Sequence, residues 1–319
     1  MAWKVVCTVH TYAVPINKNC AVLWLFVAFL HIVLQNKKQG DTLCGSLGLS
    51  RVVSSLSTIF KEEFAVSYPK DLLSTRAVVK PGLYAVIPKD GLVNNTLPYL
   101  TGCRTSIVAS PKMGASFVQY VCYVQPNGGT TSPFAKAPRE ESFLYVISGE
   151  VDASSEGSEV HLTAGGYLYA PPAAGISFSN NNSVEAKILL YKQLYIPCDN
   201  KLPYFFSGNV NNIEYRDYED MANVHIKDLL PVDLNFDMNM HILSFDPGGC
   251  HPIVETHVQE HGMYILEGEG MYMLDDIWMG IKEQDFIWFG AYAAQCAYGV
   301  GLKPFTYIYS KDCNRDVVL

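Results

Sequence analysis

The sequence predicts an all-β protein assembled from two copies of one strand-rich unit. Three observations carry this. From about residue 76 the 319-residue chain alternates short apolar and aromatic runs with Gly, Pro, Asn and Asp, the pattern of many short strands closed into a sandwich or barrel. Val, Ile, Tyr and Phe fill those runs, and no long helical periodicity appears. A series of motifs also recurs at matched offsets. QPNGG (125–129), LYVISGEV (144–151) and GGYLYAPPAAGISF (165–178) form one series. DPGG (246–249), MYILEGEG (263–270) and QDFIWFGAYAAQCAY (284–298) form the other. Gly129 to Gly149 is 20 residues and Gly249 to Gly268 is 19; Gly149 to Ser177 is 28 and Gly268 to Gln295 is 27. Such offsets describe two copies of a unit of about 120 residues.

The strands expected in order are FVQYVCYV (117–124), SFLYVISG (142–149), GYLYAPP (166–172) and KILLYKQLY (187–195). In the second copy they are MNMHILSF (238–245), GMYILEGEGMYML (262–274) and DFIWFGAY (285–292). One short helix is expected near Val224–Leu230, in a connection between the halves.

Composition narrows the function classes. Only 17% of residues are charged against 49% hydrophobic, which excludes a disordered chain. The net charge is −8 and no Lys/Arg cluster forms a basic face, so a nucleic-acid partner is not expected.

Residues 1–65 are expected to be a targeting segment and linker. Cys20–Leu34 is apolar except for His31, and residues 1–40 hold Lys4, Lys18, Lys37 and Lys38 but no acid. About 15 apolar residues is short of the roughly 20 that span a bilayer and fits a secretory h-region. An uncleaved membrane anchor and a buried helix of the folded domain are the alternatives. A signal places the chain in the endoplasmic reticulum or secretory pathway; without one it is cytoplasmic. The sequons Asn94-Asn95-Thr96 and Asn181-Asn182-Ser183 matter only in the secretory case. Nine cysteines without a C-x-x-C pair give no disulfide framework and read mainly as small buried hydrophobes.

The chemistry concentrates in the second copy. Four of the eight histidines, His241, His251, His257 and His261, fall within 21 positions. Glu255 and His257 are two apart and share a side on a strand. His261, four further on, returns to that side if the strand continues or bulges. A carboxylate and two imidazoles at one point suit a divalent first-row metal. Gln295, from a neighbouring strand, is the candidate fourth ligand. Its hard, neutral amide oxygen suits Mn or Mg rather than structural zinc.

These residues resemble the first motif of the cupin superfamily, G-x5-H-x-H-x3-E-x6-G. Here Gly249-x5-Glu255-x-His257-x3-His261-x6-Gly268 keeps every spacing, with the ligand order changed to Glu, His, His. That order with a distal Gln is similar to the (S)-ureidoglycine aminohydrolases, manganese-dependent bicupins of allantoin breakdown. HG-x4-EG-x-G-x-Y (261–272), D-x-IW (285–288) and Tyr307 before Lys311-Asp-x-Asn-Arg also match. So do IP-x2-G-x-VNN (87–95), SP-x-MGA-x-FV (110–118) and LLP (229–231). The likeness covers about residues 76–319.

The resemblance implies two tandem jelly-roll barrels, an N-terminal cupin (66–200) and a C-terminal one (201–319). It implies Mn2+ held by Glu255, His257, His261 and Gln295. Tyr272, Tyr307, Lys311 and Glu255 would bind substrate, with Glu255 and Lys311 catalytic. The equivalent ligand positions of the first copy are Lys136, Pro138, Ser142 and Ser177, so that copy is expected to be metal-free. The implied reaction is hydrolysis of (S)-ureidoglycine to (S)-ureidoglycolate and ammonia, by a homo-oligomer that touches membrane only through an uncleaved N-terminus. Met273, Gln284, Ala291, Cys296 and Ser310 depart from the family pattern and bear on substrate identity. The competing readings are another metal-dependent bicupin, a decarboxylase or dioxygenase, and a non-enzymatic binding or storage cupin.

Overall fold

The computed structural model describes residues 77–219, 221–313 and 315–317, all within one compact unit, Tyr68–Leu319. The apolar segment 20–34 lies outside the described residues. Among the described residues, no helix is long and apolar enough to cross a membrane.

The strands run in order β1 (Val78–Lys80), β2 (Tyr84–Ile87), β3 (Leu100–Ala109), β4 (Val118–Thr130) and β5 (Glu140–Ser148). Then come β6 (Glu150–Ser155), β7 (Ser158–Thr163), β8 (Gly166–Ala170), β9 (Ser177–Ser179) and β10 (Ala186–Leu194). The chain continues through β11 (Phe206–Asn209), β12 (Arg216–Tyr218), β13 (Met221–Asp228), β14 (Met238–Phe245) and β15 (His261–Glu267). It closes with β16 (Glu269–Leu274), β17 (Ile277–Lys282), β18 (Phe286–Phe289), β19 (Gln295–Val300) and β20 (Phe305–Asp312).

β4 to β10 and β14 to β20 are the two copies read from the sequence. Each copy pairs its fifth strand of this series, β8 or β18, with its second, β5 or β15. That second strand pairs in turn with the last, β10 or β20. The turn after the second strand is the same in both. Gly149 and Gly268 have φ of +74° and +75°, and a Cβ on them would stand 2.8 Å from Ala186 Cα and 2.2 Å from Pro304 O. Glycine is required there on both counts.

The copies exchange strands across the expected boundary near residue 200. β1 and β2 precede the first copy, yet β2 pairs with β18 of the second. β11 follows the first copy's last strand and pairs back onto β8. Equivalent edges are thus covered in both halves, β18 by β2 and β8 by β11.

The expected helix near Val224–Leu230 is instead largely strand, β13. Val224 and Ile226 are buried two apart and lie opposite Phe245 and Leu243. A period of two with a paired register overrides a helical reading of so short a segment.

The large sheets bury both faces, which explains their near-continuous apolar runs. On β14, Met238, Met240 and Ile242 join a core shared by the halves, with Phe117, Phe143, Tyr145, Tyr191 and Trp288. The alternate residues Leu243 and Phe245 point into the C-terminal barrel. On β5, Leu144 and Val146 belong to the N-terminal barrel interior while Phe143 and Tyr145 face the shared core. Each strand therefore serves two cores, and only the inward face of the C-terminal barrel meets the predicted site.

Candidate active site in the C-terminal barrel

Alternation along three adjacent strands aims side chains into this barrel. In β20, Phe305, Tyr307 and Tyr309 face inward, and Lys311 continues the same side to the rim. They stand opposite Phe245, Leu243, His241 and Asn239 of β14. In β15, His261 and Met263 share that interior, while Tyr264 turns to the shared core. Tyr272 comes from β16 and Gln295 begins β19.

Glu255 and His257 do not lie on a regular strand as expected. Residues 251–260 are irregular apart from a bridge between Glu255 and Gln295. A second bridge joins Cys250 to Tyr298. Five steps on one side therefore match three on the other, and the excess bulges outward with Ile253 and Val254 exposed. The backbone hydrogen bonds Glu255 N to Gln295 O (2.8 Å) and Gln295 N to Glu255 O (2.9 Å) return Glu255 to the barrel. His257 is fixed by Tyr292 N donating to its carbonyl at 2.7 Å.

The cavity so formed has a volume of about 310 Å³ including its open mouth and is lined by all seven predicted residues, Glu255, His257, His261, Tyr272, Gln295, Tyr307 and Lys311. Tyr218, His251 and Tyr309 also line it and received no role from the sequence. Tyr309 was accessible to a period-two argument from Tyr307 and Lys311. Tyr218 carries no motif signal. Behind Tyr309, His241 stacks on its ring at 5.0 Å and holds Asp228 Oδ1 at 2.8 Å.

The two candidate imidazole ligands are oriented alike. His257 Nδ1 donates to Gln259 O at 3.0 Å and His261 Nδ1 to Ser310 O at 2.8 Å. A carbonyl only accepts, so each Nδ1 carries the proton and each Nε2 keeps its lone pair. Burial pushes both rings below the ordinary histidine range, helped at His261 by His257 and Lys311. Both are therefore neutral bases at physiological pH, as ligation requires. Burial, with Glu219 nearby, pushes the Glu255 carboxyl up. It also pushes Tyr272, Tyr307 and Tyr309 well above the phenol range, so all three remain protonated donors.

Gln295 connects two of these groups. Its Nε2 donates to Glu255 Oε2 at 2.5 Å, and its Oε1 accepts from Tyr272 OH at 2.7 Å. Tyr272 thus orients the amide as well as lining the cavity. Among the described residues, no three His, Cys, Asp or Glu side chains are close enough to grip one ion as they stand. The donor chemistry nevertheless fits a divalent cation: two neutral imidazoles with pinned Nδ1–H, a carboxylate and an amide.

Two departures from the family pattern lie at this site. Ser310 supplies the carbonyl for His261, and its Oγ accepts from Gly262 N at 3.1 Å. Cys296 is buried and its thiol contacts the His251 carbonyl at 3.8 Å. A larger open groove of about 1150 Å³, including its open mouth, on the N-terminal half is lined by Thr130, Asp152, His161 and Asn181 among others. Its half-exposed His161 is already paired with Asp152 at 2.7 Å and Glu150 at 2.8 Å, so it presents a solvated ion cluster.

No family model matches the chain. It is 49% identical over 251 residues to the (S)-ureidoglycine aminohydrolase of Escherichia coli, covering 78% of this chain and 96% of that protein. It is 27% identical over 248 residues to a probable (S)-ureidoglycine aminohydrolase of Oryza sativa subsp. japonica, covering 77% of each. The crystal structure of the E. coli protein Ylba superposes with a TM-score of 0.71 at 47% identity, over 79% of this chain and all of that one. Oxalate decarboxylase superposes at 0.58 with 10% identity, over 79% of this chain and 86% of that one, which supports the bicupin fold alone. With half of its aligned residues shared across nearly the whole of the E. coli protein, the chain belongs to the (S)-ureidoglycine aminohydrolase family.

Proposed function

We propose that the chain hydrolyses (S)-ureidoglycine to (S)-ureidoglycolate and ammonia in its C-terminal barrel. The observation that carries this is the convergence of Glu255, His257, His261, Tyr272, Gln295, Tyr307 and Lys311 on one cavity, in a chain so similar to an enzyme of that name.

Glu255, His257, His261 and Gln295 would hold a divalent cation, and the mixture of imidazole with hard oxygen donors favours Mn2+. Such an ion supplies Lewis acidity, a fixed anchor for the substrate's polar groups and a lowered pKa for water. The chain's own residues supply the rest. Lys311, at the barrel rim, pairs with the substrate carboxylate as a point charge. Tyr307 donates its buried hydroxyl to a carbonyl oxygen of the substrate. Tyr272 holds the Gln295 amide and adds a wall to the pocket. Glu255 lies where burial brings a carboxyl toward the working pH range, which suits it to accept and return a proton at Oε1 or Oε2. Fixing the amine, the carboxylate and the ureido group at three points sets which face of the carbon is open.

Exposed Leu202, Val232 and Leu234 support assembly as a homo-oligomer. The acid-free apolar segment 20–34 supports entry into the secretory pathway. The functional test is ammonia release from freshly prepared (S)-ureidoglycine by the manganese-loaded protein. Release of carbon dioxide from a dicarboxylate, without ammonia release, would instead support the decarboxylase alternative.

A further inference from the structure

His251 lines the same cavity and has no part in the reading above. Its position is firmly set. Its N–H donates to Ala297 O at 2.9 Å, the Cys250–Tyr298 bridge precedes it, and Cys296 packs its thiol on the His251 carbonyl. The ring stands edge-on to Phe245 with centroids 5.0 Å apart. The residue is only 5% exposed, and its Nδ1 has no hydrogen-bond partner.

Leaving a buried polar atom unpaired is destabilising, and such atoms in native proteins call for an explanation. His257 and His261 each lend Nδ1 to a backbone carbonyl, which leaves Nε2 for a ligand's role. His251 has no such support from backbone or carboxylate, so it lacks the orientation that ligating imidazoles show. Burial against Phe245 favours the uncharged ring, which keeps one acceptor nitrogen. The rest of the cavity wall is rich in donors: Tyr218, Tyr307, Tyr309 and Lys311. Beyond the candidate ligands, a neutral imidazole is the strongest acceptor in it.

We propose that His251 is a further substrate-contacting residue, whose neutral imidazole accepts a hydrogen bond from an N–H of the substrate's ureido group. The donor-rich side then receives the carboxylate and carbonyl oxygens, and His251 reads the nitrogen side. The assignment rests on the functional reading above, and it makes His251 a determinant of ureido recognition rather than of metal binding.

The test is calorimetric binding of N-carbamoylglycine, an unreactive ureido acid, to the manganese-loaded protein, alongside turnover of (S)-ureidoglycine and metal analysis. His251→Leu should weaken N-carbamoylglycine binding and raise KM at least tenfold, with kcat within about threefold and manganese content unchanged. His251→Asn, which restores an acceptor oxygen near the Nδ1 position, should recover part of the affinity and serves where the Leu variant fails to fold. Unchanged affinity in a folded variant, or lost manganese, overturns the proposal, as does a parent protein that binds no N-carbamoylglycine. A parent that binds N-carbamoylglycine through His251 yet releases no ammonia would sink the hydrolase reading and leave this one standing.

Discussion

The Ser310 carbonyl accepts the Nδ1–H of His261 at 2.8 Å. This contact ties a candidate ligand on β15 to the backbone of β20 and fixes the ring's tautomer. The Ser310 hydroxyl does a separate task, accepting Gly262 N at 3.1 Å. Ser310→Ala should therefore cost about 1–3 kcal/mol by orphaning a buried N–H, while manganese affinity stays within about threefold. Urea denaturation and metal titration of the same variant check the two halves of this expectation.

Lys311 lies on the rim of the cavity, two residues beyond Tyr309 on the inward face of β20. A charge-assisted hydrogen bond is worth about 1.5–3 kcal/mol, or roughly 10- to 150-fold in affinity. Lys311→Met should raise KM for (S)-ureidoglycine by about that factor. Steady-state kinetics with an unchanged KM would remove Lys311 from substrate binding.

Glu255 is joined to β19 through its backbone as well as its side chain. Glu255→Gln keeps the backbone bridge, so the fold should survive by circular dichroism. Turnover should fall by about 10²- to 10⁴-fold, the range for losing a general acid–base group. Near-normal ammonia release would exclude a proton-transfer role.

Much of this site was legible because period and spacing are local properties. Tyr307 and Lys311 are four apart on a strand, and the Gly249–Gly268 spacing carries the ligand set. The conformation of residues 251–260 was not legible, because a bulge is set by the pairing of Cys250 with Tyr298 and Glu255 with Gln295. The strand nature of β13 was missed because its buried partners, Leu243 and Phe245, are distant in sequence. The exchange of β2 and β11 between the halves likewise depends on tertiary pairing that no local pattern encodes. His251 stood out only as a member of the histidine cluster, without a role, for a similar reason. Its burial follows from Phe245 and Cys296, which only the fold brings to it.

Lys187 gives a prediction away from the site. It is buried where β10 meets Tyr264 of β15, and it donates to Gln284 Oε1 at 2.9 Å. Burial, and then Lys89, lower its pKa to about 8 from 10.5. The unfolded chain holds this proton more tightly than the folded one. Its share of stability is therefore present above 10.5 and is lost as pH falls through about 8. Stability should rise between those values by an amount of order 1 kcal/mol, after discounting for solvent screening. Lys187→Met should flatten that rise, as read from urea midpoints at pH 7.5 and 10.

We propose one manganese-dependent site, in the C-terminal barrel, that deaminates one enantiomer of ureidoglycine. Its most direct test is the ammonia yield and product chirality when the purified chain, stripped with chelator and reloaded with Mn2+, acts on freshly prepared (S)-ureidoglycine. The expected result is stoichiometric ammonia with (S)-ureidoglycolate, lost on chelation and restored by the metal. Ammonia no faster than spontaneous decay from the reloaded protein, or a racemic product, would contradict it.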